Sequence, residues 1–345
     1  MASGRLEGRP FDGVIPPHAL ASLGQRPLGF YVHVPFCATR CGYCDFNTYT
    51  AEELGGGATR ASWRETAIAE VEMAASRLGP AAPQVSRIFI GGGTPTLLPS
   101  DDLITVVHAI ANRFGISESC EITTEANPDS VNAVMLADLR ASGFNRISFG
   151  MQSAVPHVLK VLERTHGATT AIDAARLAKA AGFANINVDL IYGTPGESVD
   201  DLRQTLSSLD FSVITHVSAY ALIVEEGTRL ARAIARGDIA APDDDDLADK
   251  YEVIDTFLQA QGLSWYEVSN WARPGGDCRH NLAYWHGEDW WGIGPGAHSH
   301  IGGVRWWNVK HPRTHAERIA AGRLSEEGRE EPDAVQRRKI GRAHV

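Results

Sequence analysis

The sequence predicts an α/β fold: a partial (β/α)6 TIM-like barrel with a smaller α+β part at the C-terminal side. Three observations predict it. Six short runs of β-branched or aromatic residues alternate with segments of helical periodicity. No long block of strands or helices breaks the alternation, and strand–helix repeats imply parallel strands with right-handed crossovers. The length of 345 residues allows about two packing units at roughly 150 residues each.

The strand runs fall at 30–34, 87–90, 121–124, 146–149, 185–191 and 216–222. Helical patterns occupy 63–77, 131–141, 170–181 and 199–209, with apolar residues three or four apart. Gly79, Gly143 and Gly182 stand where helices are capped at their C-terminal ends. After Gly227 the texture changes. Pro242 and the acidic run from Asp243 to Asp246 open a further helix, because carboxylates suit the positive end of a helix dipole; it reaches about Gln261. From Ser264 onward the chain holds seven of its eight tryptophans, which marks a second unit. The expected division is a loose Gly-, Pro- and Arg-rich leader over 1–27, the barrel over 28–232 and an aromatic-rich extension over 233–339. Residues 340–345, Ile-Gly-Arg-Ala-His-Val, read like a translated sequencing adapter and are expected to be an artefact.

Composition narrows the function. Hydrophobic residues at 43% and charged residues at 21% are those of a globular protein rather than a disordered or fibrous one. The formal charge of −10 disfavours a phosphate backbone as partner, so no nucleic acid is expected. The longest uncharged apolar stretch, 211–224, contains His216 and is too short to span a bilayer. The start of the chain lacks the apolar core of a signal peptide. A cytoplasmic protein is expected.

Five cysteines are an odd number, and Cys37, Cys41 and Cys44 lie within eight positions, which reads as metal chemistry in a reducing compartment. Two metals fit such a cluster. Structural zinc wants four ligands, usually as two separated pairs, and Cys120 and Cys278 are lone residues. Three thiolates on one loop suit a four-iron four-sulfur cluster with one iron left open to chelate a small molecule.

Ligand groups of such barrels collect where the strands end, and here those places are rich in chemistry. The second strand is followed by Gly91-Gly92-Gly93-Thr94-Pro95-Thr96, whose glycines let a backbone approach a polar ligand closely. It lacks the Lys-Ser/Thr of a phosphate loop and the spacing of a dinucleotide fingerprint. Glu125, Gln152, Arg164 and Asp189 follow near later strand ends. Each alone is as often a cap or an ion-pair partner; together around one rim they fit an amino-acid head group and a ribose.

The Cys-x-x-x-Cys-x-x-Cys phrase on a first barrel loop resembles the radical S-adenosylmethionine superfamily. Tyr31-Val32-His33-Val34-Pro35-Phe36, Gly91 to Thr96, Glu125-Ala126-Asn127-Pro128, Asn145 to Gly150 and Asp189 together resemble its oxygen-independent coproporphyrinogen III oxidase group. The resemblance implies a radical SAM barrel with a 4Fe-4S cluster on Cys37, Cys41 and Cys44. It implies S-adenosyl-L-methionine contacts from Tyr31, Gly92, Gly93, Thr94, Glu125, Gln152, Arg164 and Asp189, with Tyr43 near the adenine. Two activities occur in that group. True oxidases carry a fourth cysteine where this chain has Phe46, and decarboxylate coproporphyrinogen III in porphyrin biosynthesis. The heme chaperones carry phrases similar to His280-Asn281-Leu282-Ala283-Tyr284-Trp285 and Gly292 to Ser299. That branch implies heme as carried ligand, held by His280 with Tyr284, and apo-hemoproteins such as respiratory enzymes as recipients. It also allows peripheral contact with membrane enzymes and a dimer favoured by cluster loading. Tyr284, Trp285, Trp290 and Trp291 offer flat faces to a porphyrin, or else seal the open side of the barrel. Whether the chain is an enzyme therefore stays open between the two branches. The charged tail, 326–339, ends where that family continues into a small helical domain, so a truncated C-terminal part is expected.

Overall fold

The computed structural model describes residues 14–54, 60–164 and 167–330. Residues 1–13 of the expected leader and the suspected artefact at 340–345 lie outside the described residues. The strands are β1 (Leu28–Val34), β2 (Val85–Gly92), β3 (Ile116–Ala126), β4 (Arg146–Gln152), β5 (Asn185–Tyr192), β6 (His216–Ala221), β7 (Ser264–Glu267), β8 (Asn270–Ala272), β9 (Asp289–Ile293), β10 (His298–Ile301), β11 (Val304–Asn308) and β12 (Glu326–Glu330). The six runs read from the sequence coincide with β1 to β6, with helices between them, so the fold is α/β with parallel strands as predicted.

The described chain forms two compact units, neither of them one stretch of sequence. The first comprises residues 14–38, 47–123 and 279–330. In it β1 lies parallel to β2 on one side and to β9 on the other, and β10, β11 and β12 continue from β9 antiparallel. Phe30, Val32 and Val34 on β1 and Ile88 and Ile90 on β2 are buried, and all of β1 except Tyr31 is buried, as parallel strands covered on both faces are. The helix Arg60–Leu78 buries Trp63, Ala67, Val71, Ala74 and Leu78, a 3.6-residue stripe, and the helix Ser100–Phe114 buries Leu103, Val106, Val107 and Ile110. Glu70 is buried within that first stripe because it is fully bonded: its carboxylate accepts from Gly294 N, Asn308 Nδ2 and His315 Nε2 at 2.7–3.0 Å.

The second unit comprises residues 39–46 and 124–278. Here β4, β5 and β6 run parallel in that order, β8 pairs antiparallel with β6, and β7 with β8. The register puts Ser148 beside Asn187 and Asn187 beside His216; one step further, Gly150, Asp189 and Ser218 are level. One polar row thus crosses three strands, and a second, of Asp189 and Ser218, crosses two on the same face. The helix Asp244–Ala260 begins as the acidic run foretold, with the Asp243 side chain accepting from Asp246 N. No described helix is long and apolar enough to cross a membrane.

Candidate functional site

In the first unit the chain after β1 and the glycine run after β2 are laced together. Gly93 N donates to Val34 O at 2.8 Å, Thr94 N to Phe36 O at 2.7 Å, and Cys37 N to Tyr49 O at 3.0 Å. The glycines are required by closeness. A Cβ on Gly92, whose φ is +113°, would stand 2.5 Å from the His33 ring; one on Gly93 would stand 2.5 Å from Phe36 O and 3.1 Å from Cys37 Sγ. The neighbours that come this close are the His33 ring and the start of the cysteine loop.

His33 organises this corner. Its Nε2 lies 2.9 Å from Asn47 O, a carbonyl that only accepts, so Nε2 carries the proton and Nδ1 accepts from Tyr31 Oη at 2.9 Å. Burial keeps the ring neutral, lowering its pKa to about 4. Asn47 in turn donates to Pro295 O and Lys310 O at 2.9 Å, tying the end of the cysteine segment to the Gly-Ile-Gly-Pro-Gly phrase. Tyr31, expected at the S-adenosylmethionine site, also stacks on His280 with ring centroids 6.0 Å apart.

His280 lies on the helix Arg279–His286 and is 3% exposed. Its ring stacks on Phe89 at 4.6 Å, its backbone N donates to Glu121 Oε1, and Nε2 lies 2.9 Å from Tyr284 Oη. Nδ1 is buried without a hydrogen-bond partner. Burial first, and the Arg87 charge second, hold its pKa well below the usual histidine value, so the imidazole is neutral. Tyr284 meets Trp290 edge-on at 4.8 Å, and Trp291 meets Trp306 at 5.3 Å. Trp290 and Trp291 are buried on β9 and pack inside the first unit, whereas Trp285 is half-buried.

In the second unit the loop bearing Cys41, Tyr43 and Cys44 is held from two directions. Leu230 N donates to Gly42 O at 2.9 Å, and Arg229 bonds Arg40 O and Glu163. Arg164 reaches Cys41 Sγ with Nη1 at 3.5 Å, and Gly150 O and Asn127 Oδ1 with Nη2 at 2.9 and 3.2 Å. Tyr43 packs on the apolar cluster of Val155, Val158, Leu162, Ile191, Leu222 and Leu230. Its phenol is pushed up by burial and by the neighbouring Cys41. Gln152 is buried with φ +67°, strain of the kind that collects at functional sites. Glu125 is half-buried at the end of β3.

Asp189 Oδ2 accepts from Ser148 Oγ and Oδ1 from Asn187 Nδ2, both at 2.7 Å. Burial raises the Asp189 pKa while the bonds from Ser148, Asn187 and Ser218 oppose the rise. These partners escaped the sequence reading, although the spacings Asn187-x-Asp189 and His216-x-Ser218 place polar groups on one strand face and were the available signal.

Strand-end chemistry on parallel β/α repeats, with a three-cysteine loop after the first strand, defines a radical SAM protein. Residues 31–209 match the Radical SAM superfamily. The chain is 52% identical over 312 residues to the heme chaperone HemW of Mycobacterium tuberculosis (strain H37Rv), spanning 90% of this chain and 79% of that one. It is 35% identical over 292 residues to heme chaperone HemW of Bacillus subtilis (strain 168), spanning 84% and 75%. The chain belongs to the HemW family. Among solved structures it shares the fold of coproporphyrinogen III oxidase (HemN) from Escherichia coli, with a TM-score of 0.79 at 24% identity over 93% of this chain and 77% of that one.

Proposed function

We propose that the protein is a heme chaperone on a radical SAM scaffold, binding heme and delivering it to apo-hemoproteins. The observation that carries this reading is the 52% identity to a protein named as a heme chaperone, extending over nine tenths of the chain. The 4Fe-4S cluster would sit on Cys37, Cys41 and Cys44, and S-adenosylmethionine on Tyr31, Tyr43, Gly92, Gly93, Thr94, Glu125, Gln152, Arg164 and Asp189. Heme would sit on His280 and Tyr284.

The residues present fit these groups. The three thiols are half-buried and free of disulfides. Arg164 faces Cys41, and Gly93 leaves the room beside Cys37 that a side chain would fill. Among the described residues no three His, Cys, Asp or Glu side chains gather to hold a single metal ion. A four-iron cluster asks for something else, one thiolate on each of separate irons. When bound, the open iron would chelate the amino and carboxylate groups of S-adenosylmethionine. A neutral imidazole is what heme iron takes as an axial ligand, and His280 is held neutral. Phe46, which stands where true oxidases carry a fourth cysteine, is 60% exposed and supports the chaperone reading over decarboxylation.

Cytoplasmic location, a dimer favoured by cluster loading and peripheral contact with membrane enzymes belong to the same proposal. So does the division into a leader, a barrel over 28–232 and an extension over 233–339. The test is incubation of reconstituted, reduced protein with heme in one arm and with coproporphyrinogen III plus S-adenosylmethionine in the other. A Soret shift and transfer to an apo-hemoprotein are expected in the first; conversion to protoporphyrinogen in the second would overturn the reading.

A further inference from the structure

The polar groups on β4, β5 and β6 form one chain of hydrogen bonds. Cys278 N donates to Tyr266 Oη at 3.2 Å, which leaves the tyrosine proton to point at His216 Nε2, 2.8 Å away. With Nε2 accepting, neutral His216 carries its proton on Nδ1, and that proton goes to Asn187 Oδ1 at 2.6 Å. The Asn187 amide is thereby fixed, its Nδ2 turned toward Ser148 Oγ, Ser218 Oγ and Asp189 Oδ1 at 2.6, 3.0 and 2.7 Å. Ser148 then gives its own proton to Asp189 Oδ2. The series ends on one carboxylate. His216, Asn187, Ser148 and Ser218 are buried, at 1%, 5%, 7% and 2% exposure, so water does not compete for these bonds. A packed core gains nothing from so many buried polar groups on adjacent strands unless the group at the end of the series has a task.

We propose that His216, acting through Asn187 and set by Tyr266, is a positioning residue for Asp189. It holds the carboxylate oriented to accept hydrogen bonds from the hydroxyl or ammonium donors of S-adenosylmethionine, and so rests on the S-adenosylmethionine site proposed above. Polarisation along the series strengthens the final bonds to the Asp189 carboxylate.

The test is calorimetric titration of S-adenosylmethionine into anaerobic, cluster-loaded full chain. His216→Phe, which deletes both the donor and the acceptor, is expected to weaken binding about tenfold, the scale of one hydrogen bond to a charged group. His216→Gln keeps one donor and one acceptor and is expected to stay within about threefold of the unsubstituted protein. In an Asp189→Asn background, His216→Phe should cost nothing further, because the group it positions is already gone. Iron content and cluster absorbance should be unchanged throughout. Should His216→Phe fail to fold, Tyr266→Phe removes only a hydroxyl and is expected to weaken binding about threefold. Unaltered binding in these variants, or the same factor lost again on top of Asp189→Asn, would overturn the relay. Absence of binding to the unsubstituted, cluster-loaded protein would instead overturn the S-adenosylmethionine reading itself, and the relay with it.

Discussion

The Nε2 of His280 is 2.9 Å from the hydroxyl of Tyr284, one helical turn along the same helix. On the proposed reading that His280 holds heme iron through Nε2, the ligating nitrogen is capped by the tyrosine beside it. Iron must displace that bond, whose net worth is about 0.5–1.5 kcal/mol, or about two- to tenfold in affinity. Tyr284→Phe keeps the ring and removes the cap, so heme is expected to bind several-fold more tightly. His280→Ala is expected to weaken binding and diminish the Soret shift. Spectrophotometric heme titration of both variants checks the pair; equal affinities in all three proteins would remove this helix from the heme site.

Glycine substitutions separate two kinds of closeness around the cysteine loop. Gly93→Ala places a Cβ 2.5 Å from a backbone carbonyl and 3.1 Å from Cys37 Sγ, and neither neighbour can swing aside. It is expected to cost about 1–3 kcal/mol and to lower iron incorporation sharply. Gly42→Ala meets the carboxylate of Glu163 at 2.7 Å, but that side chain is 43% exposed, and its ion pair with the exposed Arg229 can shift with it. Iron per chain after anaerobic reconstitution should fall in the first variant and remain near normal in the second.

Much of the framework was legible because its signals are local. Gly79, Gly143 and Gly182 all have φ between +69° and +98° at helix ends, and Asp243 caps the helix that the acidic run announced. What escaped was non-local. On β9 all of Asp289 to Ile293 are buried, so the strand shows no alternation, and only its pairing with β1 explains the tryptophans. The first half of β3 is polar and largely exposed, which confined the expected strand to its buried half. Within the site, the cysteines and the glycine run could be read as phrases. His33 and His216 could not, since their importance comes from which carbonyl, hydroxyl or amide the register sets against each nitrogen.

Acid should destabilise the protein before its carboxylates titrate. His33, His216 and His280 all have pKa values lowered by burial, so below the ordinary histidine value of 6.5 the unfolded chain takes up protons that the folded chain refuses. Stability is then complete above 6.5 and lost as pH falls, at about 1.4 kcal/mol per pH unit for each such histidine. Glu197, Asp189 and Asp102, raised by burial, act in the opposite sense, and Glu197, at about 7, offsets one of the three histidines in this range. The thermal midpoint is expected to drop between pH 7.5 and 5.5, and replacing His216 by Gln should flatten that dependence. A midpoint unchanged across this range would show that the three rings protonate in place.

Lys250 is fully buried, donating to Glu197 O at 2.7 Å and to Asp246, with the Glu197 carboxylate 3.7 Å away. Removing either partner of such a pair is not symmetrical. Burial raises the Glu197 pKa to about 7 even with Lys250 beside it, so its neutral form is nearly as good as its charged one near neutrality. Glu197→Gln copies that neutral form and is expected to cost about 1 kcal/mol or less. Lys250→Met leaves Glu197 without its cation and the Glu197 carbonyl without its donor, and is expected to cost about 3 kcal/mol or more. Combined with Glu197→Gln, the lysine replacement should cost less than it does alone, because no buried carboxylate then remains to be stranded. Thermal unfolding of the three variants at pH 7.5 measures this. Equal costs for the two single replacements would mean that Glu197 is ionised in the folded protein and that the pair acts as a simple salt bridge.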